Sequence, residues 1–333
     1  MFKTGMVDIY GTLGPACSTK EILIRMFDAG MTGVRLNLSH ITLHHAAQQI
    51  ETLHAAAEAC GKTAQLLIDM QGPELRIGVL EAPLSLAEGD VVNFGKSWIP
   101  IPEPVLPALV PGQEVLLDDG KILLEVVSVR EEGARAQVTR GGVLRSRKSI
   151  ALPGSALHPP TMTEVDRENI SLSMQYGVTS VMQPFVRDRK DLETVRTALN
   201  EAGGSSIHLF AKIENMEGIS NLDDLIPACD EIVIARGDLG NAMPLWELPR
   251  IQKIISGKCR NANRKFMVVT QMLASMEHNA VPTRAEVSDI FNAVCDGAAS
   301  VMVTGETAVG EHPVEVIRYL ANTVREAQSY LQE

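Results

Sequence analysis

IHLFAKIENMEGISNLDDLIPACDEIVIARGDLG, residues 207–240, reads as a strand, a helix and a second strand. IHLFAKIE and EIVIARGDL are apolar runs of strand length, and GISNLDDLIPAC between them has a helical pattern. Such alternation marks parallel strands joined by crossover helices, and it continues on both sides. Upstream, TEVDRENISLSMQYG (163–177) leads to SVMQPFV (180–186), followed by RKDLETVRTALNEAG (189–203). Downstream, WELPRIQKIISGKCRNAN (246–263) leads to KFMVVTQML (265–273), and RAEVSDIFNAVCDG (284–297) to SVMVTGET (300–307). PVEVIRYLANTVREAQSYL (313–331) closes the chain as a helix.

The first 70 residues repeat the theme three times: VDIYGTL, GVRLNLSH and TAQLLIDM as strands, with STKEILIRMFDAG and TLHHAAQQIETLHAAAEACG as helices. Ser18 is the expected cap of the first helix, with Glu21 completing a capping box. Between about 71 and 157, short β-like runs (VVNFG, EVLLDDG, KILLEVVSVR, RAQVTRGG) are separated by Gly, Asp-Gly and Pro, the pattern of a small all-β module. Leu152-Pro153-Gly154 and Pro159-Pro160 mark the way out. Three strands before the insert and five after it predict an α/β fold, a closed (β/α)8 TIM barrel with the all-β module inserted after strand three. The expected boundaries are 1–72 and 158–333 for the barrel and 73–157 for the insert. An open doubly wound sheet is the rival; eight units, and no G-x-G-x-x-G after the first strand, favour the barrel.

Composition narrows the function. The chain has 333 residues, 45% of them hydrophobic and 21% charged, which excludes disorder, collagen and coiled coil. A formal charge of −11 argues against nucleic acid or anionic membrane as partner. No apolar run approaches the roughly 20 residues of a membrane span, and the N-terminus does not read as a signal peptide. Five dispersed cysteines without CxxC read as reduced thiols of a cytoplasmic protein.

In barrels the reacting groups sit at the C-terminal ends of the strands. In strand two, Arg35, Asn37 and Ser39 share one face and Leu36 and Leu38 the other. Three polar groups in register need partners, either one another or a ligand or ion. Strand three ends in Asp69, a turn residue or a metal ligand. Lys212 and Glu214 project to one side of strand five, as a structural ion pair or as a phosphate-binding cation beside a metal ligand. Asp238 follows strand six, so two carboxylates can converge at the barrel mouth in the manner that holds Mg²⁺. Gly237 and Gly240 let backbone N–H groups approach an anion. Thr270 and Thr304 end strands seven and eight, where a threonine serves backbone or substrate equally well. His40, His44 and His45 lack a Cys or carboxylate that would complete a metal site.

Taken together, these stretches resemble the pyruvate kinase family. TLGPACS, AGMTGVRLNLSH, IDMQGPELRIG, AKIENMEGI, IVIARGDLG, VVTQMLASM and PTRAEVSDIFNAVCDGAASVMVTGETAVGEHP occur in the family's order. The resemblance implies a barrel with a small β-barrel lid after strand three. It also implies transfer of a phosphoryl group from phosphoenolpyruvate to ADP, the enol being protonated to pyruvate. Lys212 then matches the lysine that stabilises the moving phosphoryl group, and Glu214 and Asp238 the ligands of Mg²⁺ (or Mn²⁺). Gly237, Asp238 and Thr270 match the groups that hold the substrate carboxylate. Arg35, Arg76, His40 and the lid residue Lys148 match phosphate and nucleotide contacts, Arg35 and Thr270 counting with Lys212 as catalytic. Asn37, Ser39, Asp69 and the Met70 carbonyl match a K⁺ cage, and the acid Glu74 implies K⁺ dependence because relatives that need no K⁺ tend to carry Lys there.

Departures from the family pattern surround this set. Met70-Gln71 replaces Thr-Lys, Ile41 and Pro184 replace Gly and Ser, and Asn241-Ala242-Met243 replaces Val-Glu-Ile. Ala274 stands for Glu, Thr304 for Ser, and Ser149 and Ala151 for Gly and Asn. The chain ends at Glu333 with the eighth barrel helix. The expectation is a protein without the family's C-terminal effector domain, and a homodimer at most through barrel contacts. Beside phosphoryl transfer stand two alternatives. One is metal-enolate chemistry on a related 2-oxo acid, such as oxaloacetate decarboxylation, and the other a catalytically weak metabolite-binding relative. Lys212 favours the kinase; Gln71 and Asn241-Ala242-Met243 favour the others.

Overall fold

The computed structural model describes residues 6–73, 75–95, 98–118, 120–155 and 159–333. Glu74, expected to bear on K⁺ dependence, lies outside the described residues. The chain divides into two compact units, Met1–Gly72 with Thr161–Glu333, and Pro73–Pro160.

In chain order the first unit begins β1 (Asp8–Thr12), α1 (Lys20–Ala29), β2 (Gly33–Asn37), α2 (Ala47–Ala59), β3 (Gln65–Asp69). The second unit contributes β4 (Leu84–Leu86), β5 (Val91–Gly95), β6 (Glu114–Leu117), β7 (Ile122–Arg130), β8 (Gly133–Arg140), β9 (Gly142–Leu144) and β10 (Ile150–Ala151). The first unit resumes with α3 (Glu164–Leu172), β11 (Ser180–Gln183), α4 (Arg189–Glu201), β12 (His208–Ile213), α5 (Met216–Ser220), α6 (Leu222–Leu225), β13 (Glu231–Ala235) and α7 (Arg236–Asn241). It ends with α8 (Leu248–Asn261), β14 (Lys265–Val269), α9 (Arg284–Cys295), β15 (Ser300–Met302), α10 (Gly305–Ala308) and α11 (Pro313–Tyr330).

The eight strands of the first unit form a closed parallel barrel in the order β1-β15-β14-β13-β12-β11-β3-β2. Closure is made by β1 against β15, with Asp8 opposite Ser300, which excludes the open-sheet rival. The fold is a TIM barrel. β3 lies directly beside β11, so the intervening unit interrupts the sequence but not the sheet. Tyr10, Leu67, Met182, Phe210, Val233 and Met267 fill the lumen, none more than 5% exposed. A second apolar shell lies between barrel and helices.

Helix starts follow local chemistry with one correction. The cap of α1 is Thr19, which accepts from Ile22 N–H, rather than Ser18. Ser18 instead donates to Pro15 O, because the Pro15–Cys17 turn comes first. The helix expected over 218–229 divides into α5, α6 and a 3₁₀ turn, Ile226–Ala228. RGDLG and GETA, read as strand tails, fold into the short helices α7 and α10.

The second unit holds a five-stranded antiparallel sheet, β10-β6-β7-β8-β5, and a two-stranded sheet, β4-β9. Its own core includes Phe94, Val115, Leu124, Ala136 and Leu144. Among the described residues no helix is long and apolar enough to cross a membrane. All five cysteines are free, and burial pushes the thiols of Cys17, Cys229 and Cys259 up to about 11, 12 and 12.

Candidate active site

Period-two alternation carries two lumen-facing rows from apolar to polar as they near the C-terminal end. Leu67 gives way to Asp69 on β3, and Phe210 to Lys212 and then Glu214 at the end of β12. Asn37 on β2 pairs in register with Asp69, and Met182 on β11 does so from the other side. The result is a charged cluster above an apolar floor.

Arg35 and Lys212 converge on one oxygen of that cluster. Arg35 Nε and Nη2 donate to Asp69 Oδ2 at 2.9 and 2.6 Å, and Lys212 Nζ lies 3.4 Å from the same atom. Lys212 Nζ also stands 2.9 Å from Glu214 Oε1, and Glu214 Oε2 accepts the Phe185 N–H at 2.8 Å. Asp69 and Glu214 are both 3% exposed. Burial pulls the Lys212 ammonium down, but Asp69, Glu214 and Asp238 together outweigh it and hold its pKa above the ordinary lysine range. Burial pushes the Glu214 carboxyl up to about 8; Lys212 opposes the rise and Asp238 adds to it. Lys212 is therefore held as a cation by its acidic neighbours, Asp69 foremost.

A second group gathers where β13 and β14 end. Thr270 Oγ1 accepts the Gly237 N–H at 2.7 Å and donates to Val269 O at 2.5 Å. The amide expected to face a substrate carboxylate is thus bonded to the hydroxyl expected to share that task. Thr270 and Gln271 have φ of 72° and 54°, and Phe185 has 51°. Consecutive left-handed residues, one β-branched, are costly and persist only where the surroundings impose them. Here Arg236 imposes them: its Nε and Nη2 donate to Thr270 O at 3.2 and 2.8 Å, and its Nη1 pairs with Asp289 at 2.6 Å.

Other candidates fall as follows. Asn37 Oδ1 accepts the Ser39 N–H at 3.1 Å, and His40 follows in the same turn. Arg76 and Lys148 belong to the second unit, where Arg76 donates to Arg147 O at 2.9 Å and Lys148 pairs with Asp118 at 2.7 Å. Sequence reasoning missed the Phe185 amide, Arg236 as a clamp, and Asp166, a fully buried carboxylate bonded to Gln71 and Gly72. The Thr163-x-x-Asp166 capping box was a visible signal for the last of these.

The oxygen donors suit two kinds of cation. Asp69 Oδ1 is buried and, among the described residues, receives no hydrogen bond. It is a hard oxygen of the kind a cation takes, and Asn37 is its ladder neighbour on β2. Glu214 and Asp238 repel each other electrostatically. Among the described residues no cluster of three His, Cys, Asp or Glu forms a metal site. A pair of carboxylates leaving room for water and substrate oxygens is the donor set of Mg²⁺.

Residues 4–317 match the pyruvate kinase barrel domain. The chain belongs to the pyruvate kinase family. It is 37% identical over 318 residues to the pyruvate kinase of Geobacillus stearothermophilus, covering 92% of this chain and 54% of that one. The pyruvate kinase of Aeropyrum pernix is also 37% identical, over 95% of this chain and 70% of its own. Human pyruvate kinase PKLR is 37% identical, over 96% of this chain and 59% of its own. The chain thus spans between about half and about two thirds of these pyruvate kinases.

Proposed function

We propose that this chain transfers the phosphoryl group of phosphoenolpyruvate to ADP, giving pyruvate and ATP in the cytoplasm, with Mg²⁺ (or Mn²⁺) and K⁺ as cofactors. The observation that carries the proposal is the convergence of Lys212 and Arg35 on Asp69, beside Glu214 and Asp238. Phosphoryl transfer needs little covalent help but much positive charge at the moving group. Lys212 and Arg35 present that charge on a side of the barrel mouth that is otherwise acidic. Glu214 and Asp238 would hold Mg²⁺, and Asn37, Ser39, Asp69 and the Met70 carbonyl would hold K⁺; together these ions supply Lewis-acid charge for the phosphate oxygens. Thr270 and the amides of Gly237 and Asp238 orient the substrate carboxylate, Thr270 releasing Gly237 as they do so. Arg76, Lys148 and His40 are assigned the nucleotide.

The test is pyruvate formation from phosphoenolpyruvate and ADP with Mg²⁺, in K⁺ and in Na⁺. Turnover that requires ADP and rises with K⁺ is the expected result. Oxaloacetate decarboxylation without ADP-dependent turnover, or binding of phosphoenolpyruvate without any turnover, would refute the proposal.

A further inference from the structure

We propose that Asp166 aims the Met70 carbonyl, and so is a positioning residue for the monovalent cation; this rests on the assignment of that cation to Asn37, Ser39, Asp69 and Met70. Asp166 lies on α3, where the chain returns to the barrel, and its side chain is fully buried. Its Oδ1 accepts the Gln71 N–H at 2.8 Å. Its Oδ2 accepts the Gly72 N–H at 3.0 Å, the Thr163 N–H at 2.9 Å and the Thr163 hydroxyl at 2.8 Å. A carboxylate so deeply buried is tolerable only when its lone pairs are occupied, as these are.

Capping of α3 explains the bonds to Thr163 but not those to Gln71 and Gly72, 95 and 94 positions earlier in the chain. Those two bonds act on the segment that follows Asp69. The Gln71 N–H and the Met70 C=O are opposite ends of one planar peptide group, and the described chain contains no cis bond. Holding the N–H toward Asp166 therefore turns the carbonyl to the other side. The preceding peptide is fixed as well, since Met70 N–H donates to Met182 O at 3.0 Å. Among the described residues nothing donates to the Met70 carbonyl itself. An aimed carbonyl with no donor, on the residue that follows a buried Asp69 oxygen with no donor, makes a pair of acceptors prepared for a cation. Asp166 thereby plays the part that partners behind a metal ligand commonly play, setting the direction of an atom they do not replace.

The experiment compares the parent chain with Asp166→Asn and Thr163→Ala. In Asp166→Asn the remaining oxygen is drawn to the side of three donors, leaving the amide group facing the Gln71 N–H, so the Met70 peptide turns. Thr163→Ala weakens the helix cap and removes the 3.4 Å contact of its hydroxyl with the Gln71 side chain, but leaves the Asp166 bonds to the Gln71 and Gly72 N–H groups. Binding of Tl⁺, a K⁺ surrogate, is followed by thallium NMR, alongside the K⁺ concentration for half-maximal activation and the thermal midpoint. Asp166→Asn is expected to weaken Tl⁺ binding and raise the K⁺ requirement about tenfold, with most turnover restored at saturating K⁺. Thr163→Ala is expected to lower the thermal midpoint without changing Tl⁺ affinity. Should Asp166→Asn not fold, Asp166→Ser keeps an acceptor for the cap but cannot reach Gln71, and the same loss of affinity is expected. Parent-like Tl⁺ binding in a folded Asp166 variant overturns the inference while leaving the cation assignment intact. Failure of the parent to bind Tl⁺ saturably overturns the assignment and the inference with it.

Discussion

At the N-terminal end of the barrel, Tyr10 donates to Gln65, Gln65 donates to Asp8 at 3.2 Å, and Ser300 donates to Glu231. At the C-terminal end, two cations crowd one oxygen of Asp69 while its other oxygen has no donor among the described residues. The same eight strands supply both ends. The lower end pairs these lumen side chains with one another, whereas the upper end leaves charge, an empty acceptor on Asp69 and left-handed backbone at Phe185, Thr270 and Gln271. Closed polar networks serve stability, and unfinished ones mark the place where something else completes them.

The contrast breaks most sharply at Lys212. Lys212→Met is expected to cut turnover about a thousandfold, measured as pyruvate formation on protein whose circular dichroism matches the parent. An equally active variant would remove the upper end's claim to chemistry. Next comes the lower end under pH. Burial raises the Glu231 carboxyl from 4.5 to about 7, so the folded chain holds that proton more tightly than the unfolded one. Below about pH 4.5 the carboxyl is neutral in both states; above about pH 7 the full cost of burying its charge is present. Glu231→Gln should therefore gain on the parent by about 3 kcal/mol as pH rises through that window, with turnover unaffected. Urea unfolding at pH 4.5 and 8 reads the difference, and a gap that stays constant with pH contradicts it.

Gly72 probes the upper end without removing a charge, although its N–H donates to Asp166. Its φ is +62°, and an added Cβ would meet Pro184 Cγ at 2.2 Å. Gly72→Ala should cost about 2 kcal/mol, of which Pro184→Ala recovers the steric part but not the backbone part in a double-mutant cycle. Smallest is Tyr10→Phe, which leaves Gln65 without its donor. A loss of about 1 kcal/mol in thermal or urea unfolding is expected, with KM and kcat unchanged. An altered KM would mean that the two ends are coupled.

Much of this was legible in the sequence because it rests on local period. The alternation at Arg35, Asn37 and at Lys212, Glu214 predicts their shared face, and strand termini predict their height in the barrel. The eight-strand count predicts closure. What escaped depends on contacts between distant segments. Nothing near Asp166 in the chain points to Gln71, and nothing about Phe185, Thr270 or Gln271 announces positive φ, since only glycine advertises that conformation. Thr19 displaced Ser18 as cap because Pro15 had already fixed the preceding turn. The short helices after β13 and β15 escaped because their glycines read as breaks.

The seating of β3 against β11 has a kinetic side. Leu67 and Ser180 are ladder partners although 113 positions of chain separate them, and Asp8 must wait for Ser300 before the ring can close. A flexible excursion of that length carries an entropic penalty on closure that a folded one largely avoids. Because the inserted unit has a hydrophobic core of its own, it can collapse first and shorten the path its ends must bridge. During synthesis every residue of the inserted unit's core has been made by Leu152, whereas the barrel cannot close until Ser300 arrives.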